Sequence, residues 1–157
     1  KKYALGILTA DCAPIFFYDR KSHIIGAAHA GWKGCLNNIC NNIILKMLEK
    51  GCKVDNIKAI IGPCISQKNY EVDNKIFIKY LKKNKNYKKF FHLKNSKKYN
   101  FDLFGTLKYQ LNKIGIETLG FYKEDTYKYK NKYYSHRRST HLNEKKTGRM
   151  INIIGFK

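Results

Sequence analysis

Three short apolar runs lie within the first 28 residues, and they constrain the fold more than any other feature of the sequence. Residues 3–9, 14–18 and 23–28 are each rich in aliphatic and aromatic side chains, as buried strands are. Residues 19–22 (Asp-Arg-Lys-Ser) have turn composition, so we expect the second and third runs to pair as a hairpin. Both faces of the 14–18 run are apolar, which predicts a central strand that is covered on both sides.

The clearest helix follows at residues 35–50. Apolar side chains recur there in pairs at helical spacing, which gives one buried stripe, and Gly51 is a typical residue just beyond a helix end. Cys35 and Cys40 belong to this stripe. We therefore expect both cysteines to be packing residues.

The rest of the chain continues with helices and strands. Asp73 and Asn100 are suited to cap two further helices. The other segments are, in order, a strand at 57–61, a Lys- and Asn-rich surface loop at 82–98, a strand at 117–122, and closing strands at 132–137 and 149–156 with a basic loop at 138–148 between them. This order predicts an α/β or α+β fold, a single domain over residues 1–157 in which helices pack on a mixed β-sheet.

The net charge of +21 raises the question of a nucleic-acid partner. Only four of the 32 basic residues are arginine, and lysine is abundant together with Asn, Ile, Tyr and Phe, all of which have AT-rich codons. Arginine, with its planar fork, is the residue that patch-based recognition of phosphates favours. A biased genome composition therefore explains the charge better than nucleic-acid binding does, and binding stays open as the alternative.

Other features bear on location and extent. The sequence has five cysteines and no CxxC pair, which favours reduced thiols and a cytoplasmic protein. No run reaches the roughly 18 apolar residues that a membrane helix needs, so no membrane partner is expected. The chain begins at Lys1, directly in a strand-like run, and we therefore expect a further segment upstream. No pattern indicates the oligomeric state.

Cys12 and His29 are the candidate metal ligands. If the hairpin turns about the bond between residues 20 and 21, these two positions lie opposite each other with Cβ atoms about 5 Å apart. A thiolate and an imidazole at that spacing can share one Zn²⁺. The alternative is that both are ordinary core residues, because two donors alone do not define a site.

Gly31-Trp32-Lys33-Gly34 joins His29 to the predicted helix. A glycine-containing turn before a helix offers free N–H groups to an anion, and Lys33 adds a positive charge where the helix dipole disfavours one. These residues predict a phosphate site. The alternative is an ordinary strand-to-helix turn.

Two more segments carry chemistry of this kind. Asp11 directly precedes Cys12 and is placed either to orient a metal ligand or to act as general base, the plainer alternative being a turn or cap residue. Residues 135–138 (Ser-His-Arg-Arg) are suited to bind phosphate, or they form a solvated run of charges.

Several blocks of the sequence, taken in order, resemble the YfiH-like, laccase-domain family. The family's motifs are matched by Thr-Ala-Asp-Cys-Ala-Pro-Ile at 9–15, His-Ala-Gly-Trp-Lys-Gly at 29–34, Gly-Pro-Cys-Ile at 62–65, Tyr-Glu-Val at 70–72, Phe-Asp-Leu at 101–103, Ser-His-Arg-Arg at 135–138 and Thr-Gly-Arg at 147–149. The combination is highly specific and spans most of the chain. It implies the fold of that family.

The resemblance also implies a zinc-dependent purine nucleoside enzyme. Members of the family, long labelled multicopper polyphenol oxidases, split adenosine, inosine, guanosine and methylthioadenosine with inorganic phosphate, and they deaminate adenosine. The implied metal site has one Cys and two His ligands. Cys12 and His29 match two of them, and the third lies in the expected upstream segment.

Roles beyond the ligands are hypotheses. Asp11 is the candidate catalytic residue, through indirect support of proton transfer to the leaving purine. The candidate phosphate-binding residues are Gly31, Lys33, Gly34 and Arg137. Copper at the same ligands, in a polyphenol oxidase, is the alternative cofactor and activity. The sequence departs from the family pattern at Lys33 (usually Arg), His136 (usually Tyr) and Asp125 (usually Cys).

Overall fold

Strands and helices alternate along the chain in the computed structural model, which describes residues 3–121 and 124–156. In chain order the elements are β1 (Ala4–Thr9), β2 (Ala13–Asp19), β3 (Ile24–Ala30), α1 (Trp32–Leu36), α2 (Ile39–Leu48), β4 (Ile57–Ile61), β5 (Glu71–Asp73), α3 (Asn74–Lys83), β6 (Phe91–Asn95), β7 (Lys98–Phe101), α4 (Leu103–Ile114), β8 (Glu117–Phe121), α5 (His136–His141) and β9 (Met150–Gly155). Short 3-10 helices lie at Val54–Asn56, Gln67–Asn69 and Lys85–Phe90. In the described part of the chain, no helix has the length and apolar character needed to cross a membrane.

The central sheet has four strands in the order β3-β2-β4-β8. Strand β2 runs antiparallel to β3 and β4, and β4 runs parallel to β8, which confirms the predicted hairpin and mixed sheet. The side chains of Ala13, Ile15 and Phe17 share one face of β2 and are fully buried. Helix α2 covers this face: a Cβ added at Gly26, opposite Phe17, would lie 3.1 Å from Met47.

The helix predicted over 35–50 is interrupted. The chain forms the five-residue helix α1, breaks at Asn38 and continues as α2. Asn38 has a φ of 53°, a left-handed conformation that Asn tolerates better than most residues, and its side-chain oxygen accepts a hydrogen bond from Gln110. Cys35 and Cys40 lie on either side of the break and are fully buried, as expected of packing residues.

A second sheet replaces much of the surface loop predicted for residues 82–98. Strands β5, β7 and β6 pair antiparallel in that order. The prediction is wrong because Tyr87, Phe90 and Phe91 are buried. Phe91 stacks on Phe101 with ring centroids 4.6 Å apart. Abundant Lys and Asn residues between the aromatic ones hide this apolar pattern in the sequence.

Helix α4 is capped two residues after the predicted position. Asn100 belongs to strand β7, and Asp102 accepts a hydrogen bond from the N–H of Gly105 at 2.8 Å. Asp73 does occupy the predicted cap position before α3, but its carboxylate pairs with Lys98, at 2.7 Å, instead of capping the helix.

The strands predicted in the last third of the chain are present in part. Strand β8 corresponds to the one at 117–122, of which Tyr122 lies outside the described residues. The closing strand at 149–156 is present as β9. Residues 132–137 are not a strand but lead into α5, because the Ser135 hydroxyl caps this helix by accepting a hydrogen bond from the N–H three residues later, at 3.1 Å.

Strands β1 and β9 form a separate two-stranded ribbon, so the predicted closing strand pairs with the first strand of the chain. Ala4 lies opposite Gly155, so the start of β1 and the end of β9 are neighbours. Leu8 and Ile151 face each other across the ribbon and are 57% and 65% exposed. One face of the ribbon is therefore apolar and open.

Candidate functional site

Cys12 and His29 lie on the same face of the β2–β3 hairpin but not opposite each other. The register pairs Pro14 with His29, two residues away from the predicted pairing. The predicted register is wrong because Asp19 organises a longer turn, in which its carboxylate accepts hydrogen bonds from the N–H groups two and three residues later, at 2.9 and 3.1 Å. Side chains alternate between faces with a period of two, so a shift of two residues keeps the pair on one face.

The sulfur of Cys12 packs against Gly31. A Cβ added at Gly31 would lie only 2.8 Å from Cys12 Sγ, so any larger residue would displace the thiol. Gly31 continues the extended backbone of β3, and it therefore shares a face with the exposed His29 two residues earlier. Glycine at this position makes room for the candidate sulfur ligand.

The two candidate donors do not complete a metal site by themselves. Among residues 3–121 and 124–156, no three His, Cys, Asp or Glu side chains are grouped so that they could hold a metal ion. A catalytic zinc site takes three protein ligands, and a thiolate with an imidazole suits this metal. Cys12 and His29 thus fit two positions of such a site, and the metal stays a prediction. Burial and the Asp11 carboxylate raise the pKa of the Cys12 thiol.

A pocket of about 350 Å³ opens beside Cys12. Its walls come from the loop between β1 and β2, from the segment around β5 and from the start of α5, which are far apart in sequence. Trp32 and Tyr70 supply aromatic surface, and Lys98 and Arg137 supply positive charge. The pocket therefore offers both a flat apolar wall and cationic groups to a ligand.

Arg137 is the candidate phosphate residue that lines this pocket. One guanidinium nitrogen donates a hydrogen bond to the carbonyl of Glu71 at 2.8 Å, and the guanidinium carbon lies 5.8 Å from the centroid of the Tyr70 ring. Across the described residues no carboxylate lies within 4 Å of its charged nitrogens. The positive charge of Arg137 is therefore not neutralised by a direct ion pair within this part of the chain.

Asp11, the candidate catalytic residue, is buried where three segments meet. Its carboxylate and its carbonyl each accept hydrogen bonds from distant parts of the chain. The donors are Thr126 Oγ1 at 2.7 Å, Ser135 Oγ at 3.0 Å and Arg137 N at 2.7 Å to the carboxylate, and Ile65 N at 3.0 Å to the carbonyl. The geometry gives Asp11 a structural role, and its catalytic role stays a prediction.

The remaining candidate phosphate residues belong to the short helix α1: Gly31 precedes its first residue, and Lys33 and Gly34 lie within it. Lys33 is exposed, and its Nζ lies 5.6 Å from the centroid of the Trp32 ring. Gly34 packs closely on the strand before it, since an added Cβ would lie 3.4 Å from the carbonyl oxygen of His29. Phosphate binding by Gly31, Lys33 and Gly34 stays a prediction. Close packing at Gly31 and Gly34 is a separate reason why glycine stands at these two positions.

The other charges near the β5 wall of the pocket are paired. Lys98 lies 2.7 Å from Asp73 and 3.7 Å from Glu71. A hydrogen bond from Lys94 holds the pKa of Glu71 below its usual value, and one from Lys98 does the same for Asp73. Burial raises the pKa of the Tyr70 phenol, which is therefore neutral at physiological pH. Both carboxylates are ionised and partly neutralised by lysines.

Sequence reasoning missed part of this pocket. Tyr70 belongs to the Tyr-Glu-Val block that resembles the family, and that block was the available signal for it. Lys98 lies in a stretch with many lysines, where nothing distinguishes one from the next. Arg137 was found through residues 135–138, although 126 positions separate it from Asp11, to which its N–H donates.

Comparison with known proteins places these features in a wider context. Residues 1–157 match the family model described as multi-copper polyphenol oxidoreductase laccase. The chain is 42% identical over 158 residues to the Rickettsia conorii protein named purine nucleoside phosphorylase RC0672. The match covers 100% of this chain and 65% of that protein. It is 38% identical over 72 residues to a protein of an unknown prokaryotic organism named adenosine deaminase RL5, over 46% of this chain and 28% of that protein.

The fold is also found among solved structures. The crystal structure of the Bacillus licheniformis hypothetical protein YfiH matches with a TM-score of 0.88 and 29% identity, over 98% of this chain and 58% of that one. This likeness confirms the predicted mixed α/β fold. The chain spans 65% of the length of the Rickettsia relative and somewhat less of the YfiH structure.

Proposed function

The chain belongs to the multi-copper polyphenol oxidoreductase laccase family, and from this membership we propose that it is part of a purine nucleoside phosphorylase. The proposed reaction moves the ribosyl group of adenosine, inosine, guanosine or methylthioadenosine from the base to inorganic phosphate. Its products are the free base and a ribose 1-phosphate. Because the chain spans 65% of its Rickettsia relative, the activity is proposed for the whole protein, of which residues 1–157 are a part.

The observation that carries this proposal is the position of Arg137 on the wall of a partly aromatic pocket. A guanidinium group presents N–H donors in one plane, and that plane matches two oxygens of a phosphate. One nitrogen of Arg137 donates to the Glu71 carbonyl, and among the described residues the other guanidinium N–H groups have no acceptor, which leaves them for an anion. Trp32 and Tyr70 suit contact with a flat purine base.

In the proposed reaction a phosphate oxygen attacks C1′ of the ribose as the bond from C1′ to the purine nitrogen breaks. The electron pair of that bond leaves with the purine, which takes up a proton. Arg137 would hold the phosphate near C1′, and such positioning removes much of the entropic cost of bringing two reactants together. The paired lysines and carboxylates of the β5 wall would contribute polar contacts to the sugar.

We further propose Cys12 and His29 as two ligands of a zinc ion, with the third ligand in a segment upstream of residue 1. The support is chemical: a thiol and an imidazole lie on one face of the hairpin, and Gly31 leaves room for the sulfur. Zinc, when bound, supplies a Lewis acid beside the pocket. Copper at the same ligands, serving polyphenol oxidation, is the alternative, since both metals accept these donors.

Deamination of adenosine is a second proposed activity, supported by the relative named adenosine deaminase RL5. It acts on a nucleoside of the same class and would use the same pocket. The free cysteines, four of which are buried, fit a reducing compartment, and we propose a cytoplasmic location.

The first test is chromatography of the products of adenosine, with and without inorganic phosphate, on a form of the protein that includes the upstream segment. Phosphorolysis predicts adenine only when phosphate is present, and deamination predicts inosine in either case. Arg137→Ala should raise the KM for phosphate about 10- to 100-fold, because this is the affinity that hydrogen bonds to a charged group usually contribute. Arg20→Ala, in the exposed turn before β3, is the matched control and should leave that KM unchanged.

The second test compares zinc content and turnover between the 157-residue chain and the longer form. Two ligands bind zinc far more weakly than three, so the short chain should hold little zinc and show very low turnover. Equal zinc and equal turnover in both forms would place the third ligand inside residues 1–157. Oxidation of phenols by the copper-loaded protein, or salt-sensitive binding of nucleic acid without nucleoside turnover, would contradict the proposed function.

A further inference from the structure

Asp11 combines an unusual backbone conformation with an almost complete loss of solvent contact. Its φ of 80° lies in the left-handed region, which residues other than Gly, Asn and Asp rarely adopt. Only 7% of the residue is exposed. Aspartate tolerates this conformation, and the tertiary hydrogen bonds of Asp11 hold the residue in it.

The carboxylate of Asp11 is saturated with donors on one side. Oδ2 accepts hydrogen bonds from the Ser135 hydroxyl at 3.0 Å and from the N–H of Arg137 at 2.7 Å, and Oδ1 accepts one from Thr126 at 2.7 Å. A general base needs a free lone pair that reaches the proton of the substrate. Both lone pairs of Oδ2 and one of Oδ1 are occupied among the described residues, and three tertiary donors on one carboxylate point to a positioning role.

These hydrogen bonds join two segments into one unit. Ser135 donates to Asp11 and also caps α5 by accepting from the N–H of Arg138 at 3.1 Å. The Arg138 guanidinium in turn donates to the carbonyl of Thr126 at 2.8 Å. The loop from residue 126 to residue 135 and the first turn of α5 are thereby held against the residue that precedes Cys12.

We propose that Asp11 is a positioning residue, which fixes the backbone of Arg137 at the start of α5 relative to Cys12, while the Glu71 carbonyl orients the guanidinium, so that bound phosphate lies on the metal-ligand side of the pocket. Asp11 is the chain neighbour of Cys12, and its carboxylate binds the backbone N–H of Arg137. The buried Asp11 side chain therefore connects Arg137, at the start of α5, to Cys12, which precedes β2. The inference rests on the proposed function, because it requires that Arg137 binds phosphate.

Two substitutions of Asp11 separate positioning from catalysis. In Asp11→Asn the amide oxygen can replace Oδ2, and the amide NH₂ then faces Thr126, whose hydroxyl can accept instead of donate. This variant keeps the geometry and removes the negative charge. Asp11→Ala removes all three hydrogen bonds. Loss of a catalytic base would lower turnover in both variants and leave phosphate binding unchanged, whereas loss of a positioning residue weakens phosphate binding chiefly in the alanine variant.

The experiment is calorimetric titration of inorganic phosphate into the form of the protein that includes the upstream segment, and into its variants. Asp11→Ala should weaken phosphate binding at least 10-fold, and Asp11→Asn no more than about threefold. The double variant Asp11→Ala/Arg137→Ala should bind no more weakly than Arg137→Ala alone, because both changes remove one coupled interaction. Asp55→Ala, which removes an exposed acidic residue in a 3-10 helix, is the matched control and should leave binding unchanged.

Ser135→Ala provides a milder variant, checked for folding by circular dichroism, in case Asp11→Ala does not fold. It removes one donor to Oδ2 and should weaken phosphate binding about three- to 10-fold. Equal losses in the Asn and Ala variants of Asp11, additive losses in the double variant, or no phosphate binding by the wild-type chain would each overturn the inference. Coupled phosphate binding without any turnover of nucleosides in the longer form would uphold it and refute the proposed function instead.

Discussion

The two faces of the central sheet differ in how completely they are covered. On the helix side, Ala13, Ile15 and Phe17 of strand β2 are 0% exposed. On the other side, Phe16 is only partly buried, Ile60 beside it is 38% exposed, and His29 is exposed. The helix-covered face accounts for the folding of the chain, whereas the open face carries the candidate metal ligands. The packing core and the candidate ligands therefore occupy opposite faces of one sheet.

Truncation of adjacent phenylalanines on β2 should give the largest contrast between the faces. Phe17→Ala should lower the free energy of unfolding by about 3–5 kcal/mol, because it opens a cavity under α2. Phe16→Ala, on the open face, should lower it by about 1 kcal/mol. The measurement is urea denaturation of both variants with the m-value checked. Similar losses would mean that the open face is as tightly packed as the covered one.

Alkaline pH should reveal the buried thiols of the core. Burial raises the pKa of Cys40 to about 12 and that of Cys64 to about 12, against roughly 8.5 in the unfolded chain. The folded state therefore keeps protons that the unfolded state releases, so stability is complete below pH 8.5 and falls as the pH rises towards 12. Each thiol contributes about 1.4 kcal/mol per pH unit in this range.

This pH effect is measured by denaturation at intervals from pH 8 to pH 11. The decline in stability should be shallower in Cys40→Ala than in the wild type, and Asn112→Gln, an exposed change on α4 that alters no titratable group, should serve as a control. An identical slope in Cys40→Ala and wild type would show that this thiol is accessible to solvent in the native state.

Cysteine substitutions should separate packing from metal binding. Cys35→Ala and Cys40→Ala should each lower the free energy of unfolding by about 1–2 kcal/mol, as small truncations in a core do, and leave zinc content unchanged. Cys12→Ala should change stability less and abolish zinc binding in the longer form of the protein. Denaturation and metal analysis together test this, and loss of zinc in either core variant would contradict the assignment.

The smallest effect is expected from the ion pair between Lys58 and Glu117 at the edge of the open face. Its atoms lie 2.5 Å apart, but the Glu117 side chain is 61% exposed. Exposed pairs of this kind contribute about 0–1 kcal/mol and are screened by salt. Glu117→Gln should therefore change stability by less than 1 kcal/mol, and the difference should vanish in 1 M NaCl. A larger, salt-resistant loss would indicate that this edge is buried against further structure.

Local patterns were sufficient for some elements and not for others. The hairpin of β2 and β3 follows from two apolar runs with a turn between them, and no distant contact is needed to recognise it. Strands β6 and β7 depend on rings that meet across the fold, such as Phe91 and Phe101. The hairpin register depends on the hydrogen bonds of Asp19, which lengthen the turn by an amount that composition does not reveal.

The candidate site shows the same division. Cys12 and His29 share a hairpin, so sequence could place them on one face. Arg137 reaches the pocket through hydrogen bonds to Asp11 and Glu71, which are remote in sequence, and spacing rules cannot predict such contacts. Local chemistry pointed to Asp11 and to residues 135–138 separately, and nothing in the sequence assigned the contact between Asp11 and Arg137.

The pairing of Ala4 with Gly155 has a consequence for how the chain can be rewired. Because the start of β1 and the end of β9 are neighbours, a short peptide linker could join them without disturbing the ribbon. The covalently closed chain could then be reopened at the exposed β6–β7 turn, at residues 96–97, to give a circular permutant with the same strand order in space. The order of the strands in the sequence can thus be changed without changing their order in space. The ribbon is therefore a suitable point at which to insert this chain into another protein.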